Sequence, residues 1–140
     1  MCGIVGYMGD RDLLEVIIKG LKRLEYRGYD SAGIAFYSDA GIITKKSAGK
    51  VEILENLLSV DSNNGSNLGI GHTRWATHGV PNTMNAHPHS DSSGKITLVH
   101  NGIIENYETI KKHLEQDGIE CQSDTDTEVL VQFIGYIYEK

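Results

Sequence analysis

Sulfur that could cross-link is scarce. Cys2 and Cys121 are the two cysteines in 140 residues, too few for a disulfide framework. Runs of like charge are also missing. Lys plus Arg total 13 against 19 Asp plus Glu, a formal net charge of −6, and no like-charged run exceeds two residues. Binding along a phosphate backbone needs a basic stripe, so no nucleic-acid partner is expected. No apolar stretch approaches the ~20 residues of a membrane span, and the N-terminus lacks the basic-then-apolar pattern of a secretory signal. No membrane association is expected, and the cytoplasm is the expected location. Internal repeats and low-complexity segments are absent too.

What is present suits one folded domain: 39% hydrophobic and 23% charged residues can bury a core. Residues 2–7 form a short apolar run of strand type, closed by Gly9-Asp10. From Asp12 to Leu24 the residues Leu13, Ile17, Leu21 and Leu24 recur at helical spacing, and Asp12 with Glu15 forms a capping pair. Residues 33–37 and 42–45 flank Ser38-Asp39-Ala40-Gly41, a hairpin with a four-residue loop. A short helix is expected over 51–60 and a surface loop over 61–67. Strands are expected over 68–72 and 95–100, and a helix over 106–116 stopped by Gly118. Thr125 with Glu128 marks a last helix start, whose stripe Val129, Leu130, Phe133, Ile134 and Ile137 runs on without a stop signal. That ending is the one expected of a chain cut inside a larger domain. Strands alternating with helices predict a layered α/β or α+β architecture.

Chemistry-bearing residues gather in three polar stretches that follow strands: Arg27-Gly28-Tyr29-Asp30-Ser31, His72-Thr73-Arg74-Trp75-Ala76-Thr77-His78-Gly79 and His100-Asn101-Gly102. Each has an ordinary reading when taken alone. Arg27-Gly28 serves as a helix exit, Arg74-Trp75 as a surface cation on a ring, and Asn101-Gly102 as a tight turn.

Cys2 changes that weighting. A cysteine directly behind the initiator Met1 permits removal of the methionine, which would put a thiol and a free α-amine on one residue. A free thiol has a pKa of ~8.5 and an α-amine one of ~7.7 to 8.0, so the amine can take the thiol's proton near neutrality. Attack on a carbonyl then develops an oxyanion that needs donors set in advance. The Asn101 side chain and the Gly102 N–H could supply them. Cys121 is expected to be a buried or half-buried bystander.

Together these stretches, with Cys2-Gly3-Ile4-Val5-Gly6, Asn85-Ala86-His87-Pro88-His89 and Thr125-Asp126-Thr127-Glu128, resemble the glutaminase domain of the glutamine:fructose-6-phosphate amidotransferase (glucosamine-6-phosphate synthase) family. That family lies within the class II glutamine amidotransferases. The motifs span nearly the whole chain in family order. The resemblance implies an α+β fold, the four-layer αββα sandwich of N-terminal-nucleophile hydrolases, of which residues 1–140 are the N-terminal portion. It implies Cys2 as nucleophile, its amine as base, and Asn101 and Gly102 as the oxyanion hole. Arg74, Thr77 and His78 would bind the glutamine α-carboxylate, and Asp126 the α-ammonium. Either Asp124 or Asp126 could instead cap the following helix. Trp75 would gate ammonia transfer, and Arg27 would pack beside the nucleophile. The reaction implied is glutamine hydrolysis through a γ-glutamyl thioester with no metal or other cofactor. Fructose 6-phosphate would bind only a sugar-isomerase domain absent from this chain, and the parent enzyme would be a homo-oligomer.

Three alternatives stand beside that reading. Six histidines, with His87 and His89 two apart and His72 and His78 on one loop, would suit a metal-binding module, although their spacings match no common zinc pattern. The chain would otherwise be a non-catalytic fragment, or a glutaminase domain that feeds another acceptor.

Overall fold

The computed structural model describes residues 1–59, 65–76 and 79–140. Strand β1 (Gly3–Met8) leads through helix α1 (Leu13–Leu24) and a 3-10 turn at Glu25–Arg27 to strands β2 (Ser31–Ser38) and β3 (Gly41–Ala48). Helix α2 (Val51–Leu58) and strand β4 (Leu68–Arg74) follow, then the short strands β5 (His89–Ser90) and β6 (Thr97–Leu98), and helices α3 (Tyr107–Gln116) and α4 (Asp126–Tyr138).

Antiparallel pairing orders the first sheet β1-β4-β2-β3, and β5 pairs with β6 in a second. Helices α1 and α2 lie on the outer face of the first sheet, while α4 packs on β5 and β6 with α3 beside it. The layers therefore run helix, sheet, sheet, helix, and the α+β class expected from the sequence is the one observed.

The outer layer is held by apolar burial. Leu13, Ile17 and Leu21, one helical face of α1, are each 0% exposed and meet Ile34, Phe36, Val51 and Leu54. Burying a side chain of this size fully is worth ~1.5–3 kcal/mol, so this cluster anchors the sheet. The close approach of α1 depends on Gly71, where a Cβ would stand 2.5 Å from Ile17 Cγ2. With Gly71 turned toward α1, the alternation of β4 sends His72 and Arg74 to the opposite face, between the sheets.

Both capping signals act as read. Asp12 accepts the Glu15 N–H at 3.0 Å, and Thr125 accepts the Glu128 N–H at 3.3 Å. Two expectations need correction. The hairpin register pairs Ser38 with Gly41, so the loop is the two residues Asp39-Ala40 and the strands are longer than read. The strand expected over 95–100 shrinks to Thr97–Leu98, because among the described residues its only partner strand is the two-residue β5. Asp91 turns the chain between them, accepting the Ile96 N–H at 2.9 Å. Residues 61–64 of the expected 61–67 loop, and residue 60 of the expected 51–60 helix, lie outside the described residues.

Candidate active site

The β1–β4 register pairs Gly3 with Thr73, so Cys2 sits level with Arg74 at the end of the sheet. Trp75 donates its backbone N–H to Cys2 Sγ at 3.1 Å, and the thiol faces the Trp75 carbonyl at 3.5 Å. Asp30 braces this strand end. Its carboxylate accepts the Ala76 N–H and the Ser31 hydroxyl, and its own N–H donates to the Arg74 carbonyl at 2.8 Å. Met1 extends from Cys2 along Arg27: its ammonium donates to the Arg27 carbonyl at 2.7 Å, and the Arg27 guanidinium lies 3.6 Å from its sulfur. Trp75, half exposed, lays its ring against Gly28.

A cavity of about 570 Å³ opens at this point, and Met1, Cys2, Arg27, Arg74 and Trp75 form one side of it. Asn101, Gly102 and Asp126 form the other. The structure thus brings together every candidate site residue that it describes; Thr77 and His78 lie outside the described residues. Arg74 is 3% exposed overall and lies 3.9 Å from Asp30, with its guanidinium 3.4 and 3.5 Å from the Val80 and Gly79 carbonyls. Asp126, the first residue of α4, accepts the Ile104 N–H at 2.8 Å. The two acids at the start of α4, Asp124 and Asp126, divide clearly. Thr125 makes the cap, Asp124 turns to Asn85, and Asp126 faces the cavity.

Gly102 has φ +151°, in a region that side chains rarely adopt, and a Cβ there would press on the His100 ring at 3.0 Å. Glycine at 102 therefore keeps this loop's backbone bare where it faces the cavity. Asn101 is exposed, and its Oδ1 lies 2.7 Å from His72 Nε2.

Four histidines converge at the cavity wall, His87 and His100 lining it and His72 and His89 beside them. His72 stacks on His87 with ring centroids 4.3 Å apart, and His87 meets the edge of His89 at 4.9 Å. His89 bonds Thr125 at 2.9 Å, and His87 Nδ1 accepts the His100 N–H at 3.4 Å. Burial is the first cause that pushes the His72, His87 and His89 rings toward neutrality: His72 drops to about 4 and His89 to about 3. His87 is lowered furthest, with the neighbouring His72 and His89 rings adding to burial. Among the described residues, no group of three metal-binding side chains converges on a point. All four histidines stand inside the quoted motifs, but the stacking of His72 on His87 depends on two sheets meeting face to face. Cys121 is half-buried, as expected, and burial raises its thiol to about 11.

The profile of the glutamine amidotransferase domain family matches residues 60–138. Glutamine–fructose-6-phosphate aminotransferase (isomerizing) of Bacillus thuringiensis subsp. konkukian is 54% identical over 134 residues, which cover 96% of this chain and 22% of the relative. Its counterpart from Pyrococcus horikoshii is 58% identical with the same coverage. The chain thus spans about a fifth of the length of these curated relatives. Among solved structures, glutamine phosphoribosylpyrophosphate amidotransferase from B. subtilis, complexed with ADP and GMP, superposes with TM-score 0.77. It is 30% identical, over 96% of this chain and 29% of that one. With a matching profile over more than half its length and the fold of a solved amidotransferase, the chain belongs to the glutamine amidotransferase domain family, with the N-terminal-nucleophile hydrolase type of α+β fold.

Proposed function

We propose that residues 1–140 are the N-terminal portion of a glutaminase domain that hydrolyses the side-chain amide of glutamine on Cys2. The parent enzyme would be a cytoplasmic homo-oligomer that uses the ammonia to make glucosamine 6-phosphate from fructose 6-phosphate, in hexosamine biosynthesis. One observation carries the reading: a thiol on the second residue opens into the same cavity as a buried guanidinium, a carboxylate and an Asn-Gly loop. Identity of 54–58% to two fructose-6-phosphate aminotransferases, against 30% to the phosphoribosylpyrophosphate enzyme, favours the sugar-phosphate acceptor.

The chemistry follows from the groups present. Removal of Met1 frees the Cys2 α-amine, which takes the thiol proton. The Trp75 N–H, 3.1 Å from Sγ, suits a sulfur that carries negative charge. Sulfur attacks the glutamine carbonyl carbon, forming a C–S bond. The oxygen becomes an oxyanion facing Asn101 Nδ2 and the Gly102 N–H. Collapse breaks the C–N bond, and the amine-borne proton leaves with ammonia, giving a γ-glutamyl thioester. Water then adds at the same carbon, and glutamate departs as the thiol re-forms. Arg74 binds the α-carboxylate, with Thr77 and His78, and Asp126 binds the α-ammonium. Trp75, whose ring rests on the motif containing Arg27, shields the thiol from bulk water and gates the ammonia.

The test is intact-mass analysis of the complete protein before and after treatment with 6-diazo-5-oxo-norleucine, a glutamine-like electrophile. Loss of Met1 and one adduct on Cys2 are expected. An adduct on Cys121 instead, or retention of Met1 in a protein that still hydrolyses glutamine, would overturn the assignment.

A further inference from the structure

We propose that His72 is a positioning residue for the oxyanion hole: its Nε2–H donates to Asn101 Oδ1, 2.7 Å away, and thereby turns the Asn101 amide nitrogen into the Cys2 cavity. The inference rests on the reading of Asn101 as an oxyanion donor.

A primary amide has one acceptor end and one donor end. Only the donor end can stabilise an oxyanion; the carbonyl end would repel it. Asn101 is exposed on its cavity side, and neither rotamer preference nor water would distinguish its two ends. The distinction comes from His72, which is 0% exposed and locked in β4 between Thr73 and Gly71.

Which ring nitrogen carries the proton decides the argument. Among the described residues His72 Nδ1, which is buried, has no hydrogen-bond partner, whereas Nε2 has Asn101 Oδ1 in reach. Burial keeps the ring uncharged near neutral pH, with its pKa lowered to about 4, so there is one proton to place. The His100 backbone also acts on this ring, but the hydrogen bond with good geometry is the one from Nε2 to Asn101 Oδ1, and the proton belongs there. A donating Nε2 requires the oxygen of Asn101 to face it. The donor end then points away from His72, into the cavity.

A second imidazole holds the backbone of the same loop. His87 stacks on His72 at an interplanar angle of 15° and accepts the His100 N–H, one residue before Asn101. The pair of rings therefore fixes both the main chain and the side chain that meet the oxyanion. Neither ring touches the substrate carbon in this scheme.

Steady-state glutamine hydrolysis by the complete protein tests the proposal. His72→Phe keeps a flat ring against His87 but removes the donor. It is expected to lower kcat about 30- to 100-fold, approaching the ~10²–10³-fold cost of losing an oxyanion donor, with glutamine KM changed less than about threefold, since binding of the amino-acid end does not use His72. His72→Gln restores an N–H and should recover kcat to within about fivefold. In an Asn101→Ala background, His72→Phe should add no further loss, because the group it aims is already gone. A fast His72→Phe beside a slow Asn101→Ala would overturn the positioning role alone. Losses that multiply in the double variant would overturn it too. An Asn101→Ala protein with full kcat would instead overturn the oxyanion reading beneath it. Should His72→Phe not fold, nitrogen NMR of the unmodified protein decides. Protonated Nε2 with bare Nδ1 at neutral pH is expected, and the opposite tautomer overturns the proposal.

Discussion

Asn85 and Asp124 clasp each other across 39 residues of chain: Asn85 Oδ1 accepts the Asp124 N–H at 2.9 Å, and Asn85 Nδ2 lies 3.3 Å from Asp124 Oδ2. The same Nδ2 donates to the Val80 carbonyl at 2.9 Å. That clasp ties the loop beside the Arg74 guanidinium to the segment two residues before Asp126. The two groups proposed to hold the amino-acid end of glutamine therefore share one brace. Asn85 is 1% exposed, so Asn85→Ala empties a buried position and removes its three part-buried hydrogen bonds to Val80 and Asp124, each worth about 1 kcal/mol. Urea unfolding is expected to show a loss of about 2–4 kcal/mol, and glutamine KM to rise about tenfold. An unchanged KM in the folded variant would contradict the brace.

The two thiols should behave as different reagents. Burial, with Glu128 nearby, pushes the Cys121 thiol up to about 11, leaving roughly one thiolate in ten thousand at pH 7. Cys2 Sγ receives a backbone N–H and opens into the cavity. Iodoacetamide at pH 7 is expected to label Cys2 at least about 100-fold faster than Cys121. Cys121→Ser should leave glutaminase activity within about twofold, and comparable labelling of both thiols by peptide mapping would contradict the distinction.

What the sequence made legible was local. The Asp12–Glu15 and Thr125–Glu128 caps join residues three apart, and the α1 stripe needs only helical periodicity, so both could be read directly. The meeting of Cys2 with Arg74 depends on the antiparallel register of β1 on β4, and no spacing along the chain encodes it. Cys2 was legible from its place behind Met1, whereas the role of Arg74 came into view through a resemblance to a family. The histidine stack was invisible for a related reason. His72 and His87 are 15 positions apart and meet only because one sheet covers the other. Residues 95–100 illustrate the opposite error: their composition reads as strand, but with β5 the only partner among the described residues the ladder ends after two residues.

Stability should fall as the solution is acidified through the histidine range. His72 and His89 titrate at about 4 and about 3 in the folded protein, and His87 is also lowered, against ~6.5 in an unfolded chain. Below pH 6.5 the unfolded state therefore binds protons that the native state refuses, so stability is lost as pH falls and is unaffected by these groups above pH 7. At pH 5 the loss is roughly 2 kcal/mol for each ring. Urea midpoints measured from pH 7.5 to 4.5 should decline steadily, and His89→Gln should make the decline shallower. A flat profile over that range would contradict neutral buried rings.

Asp126 and Asp124 offer the sharpest test of how the amino-acid end is held, because they differ by two positions and carry the same charge. Asp126 faces the cavity and accepts the Ile104 N–H through one oxygen, a bond that an asparagine carbonyl can also accept. Asp126→Asn thus removes charge while keeping the loop contact. Losing the partner of a bound ammonium costs about 3 kcal/mol in a partly desolvated pocket, or roughly 100-fold. Glutamine KM is expected to rise by about that factor with kcat changed less than threefold. Asp124→Asn keeps an oxygen toward Asn85 and does not line the cavity, so its KM should stay within about threefold. Equal effects from the two substitutions would mean that net negative charge, not a ligand at Asp126, draws the ammonium end into the site.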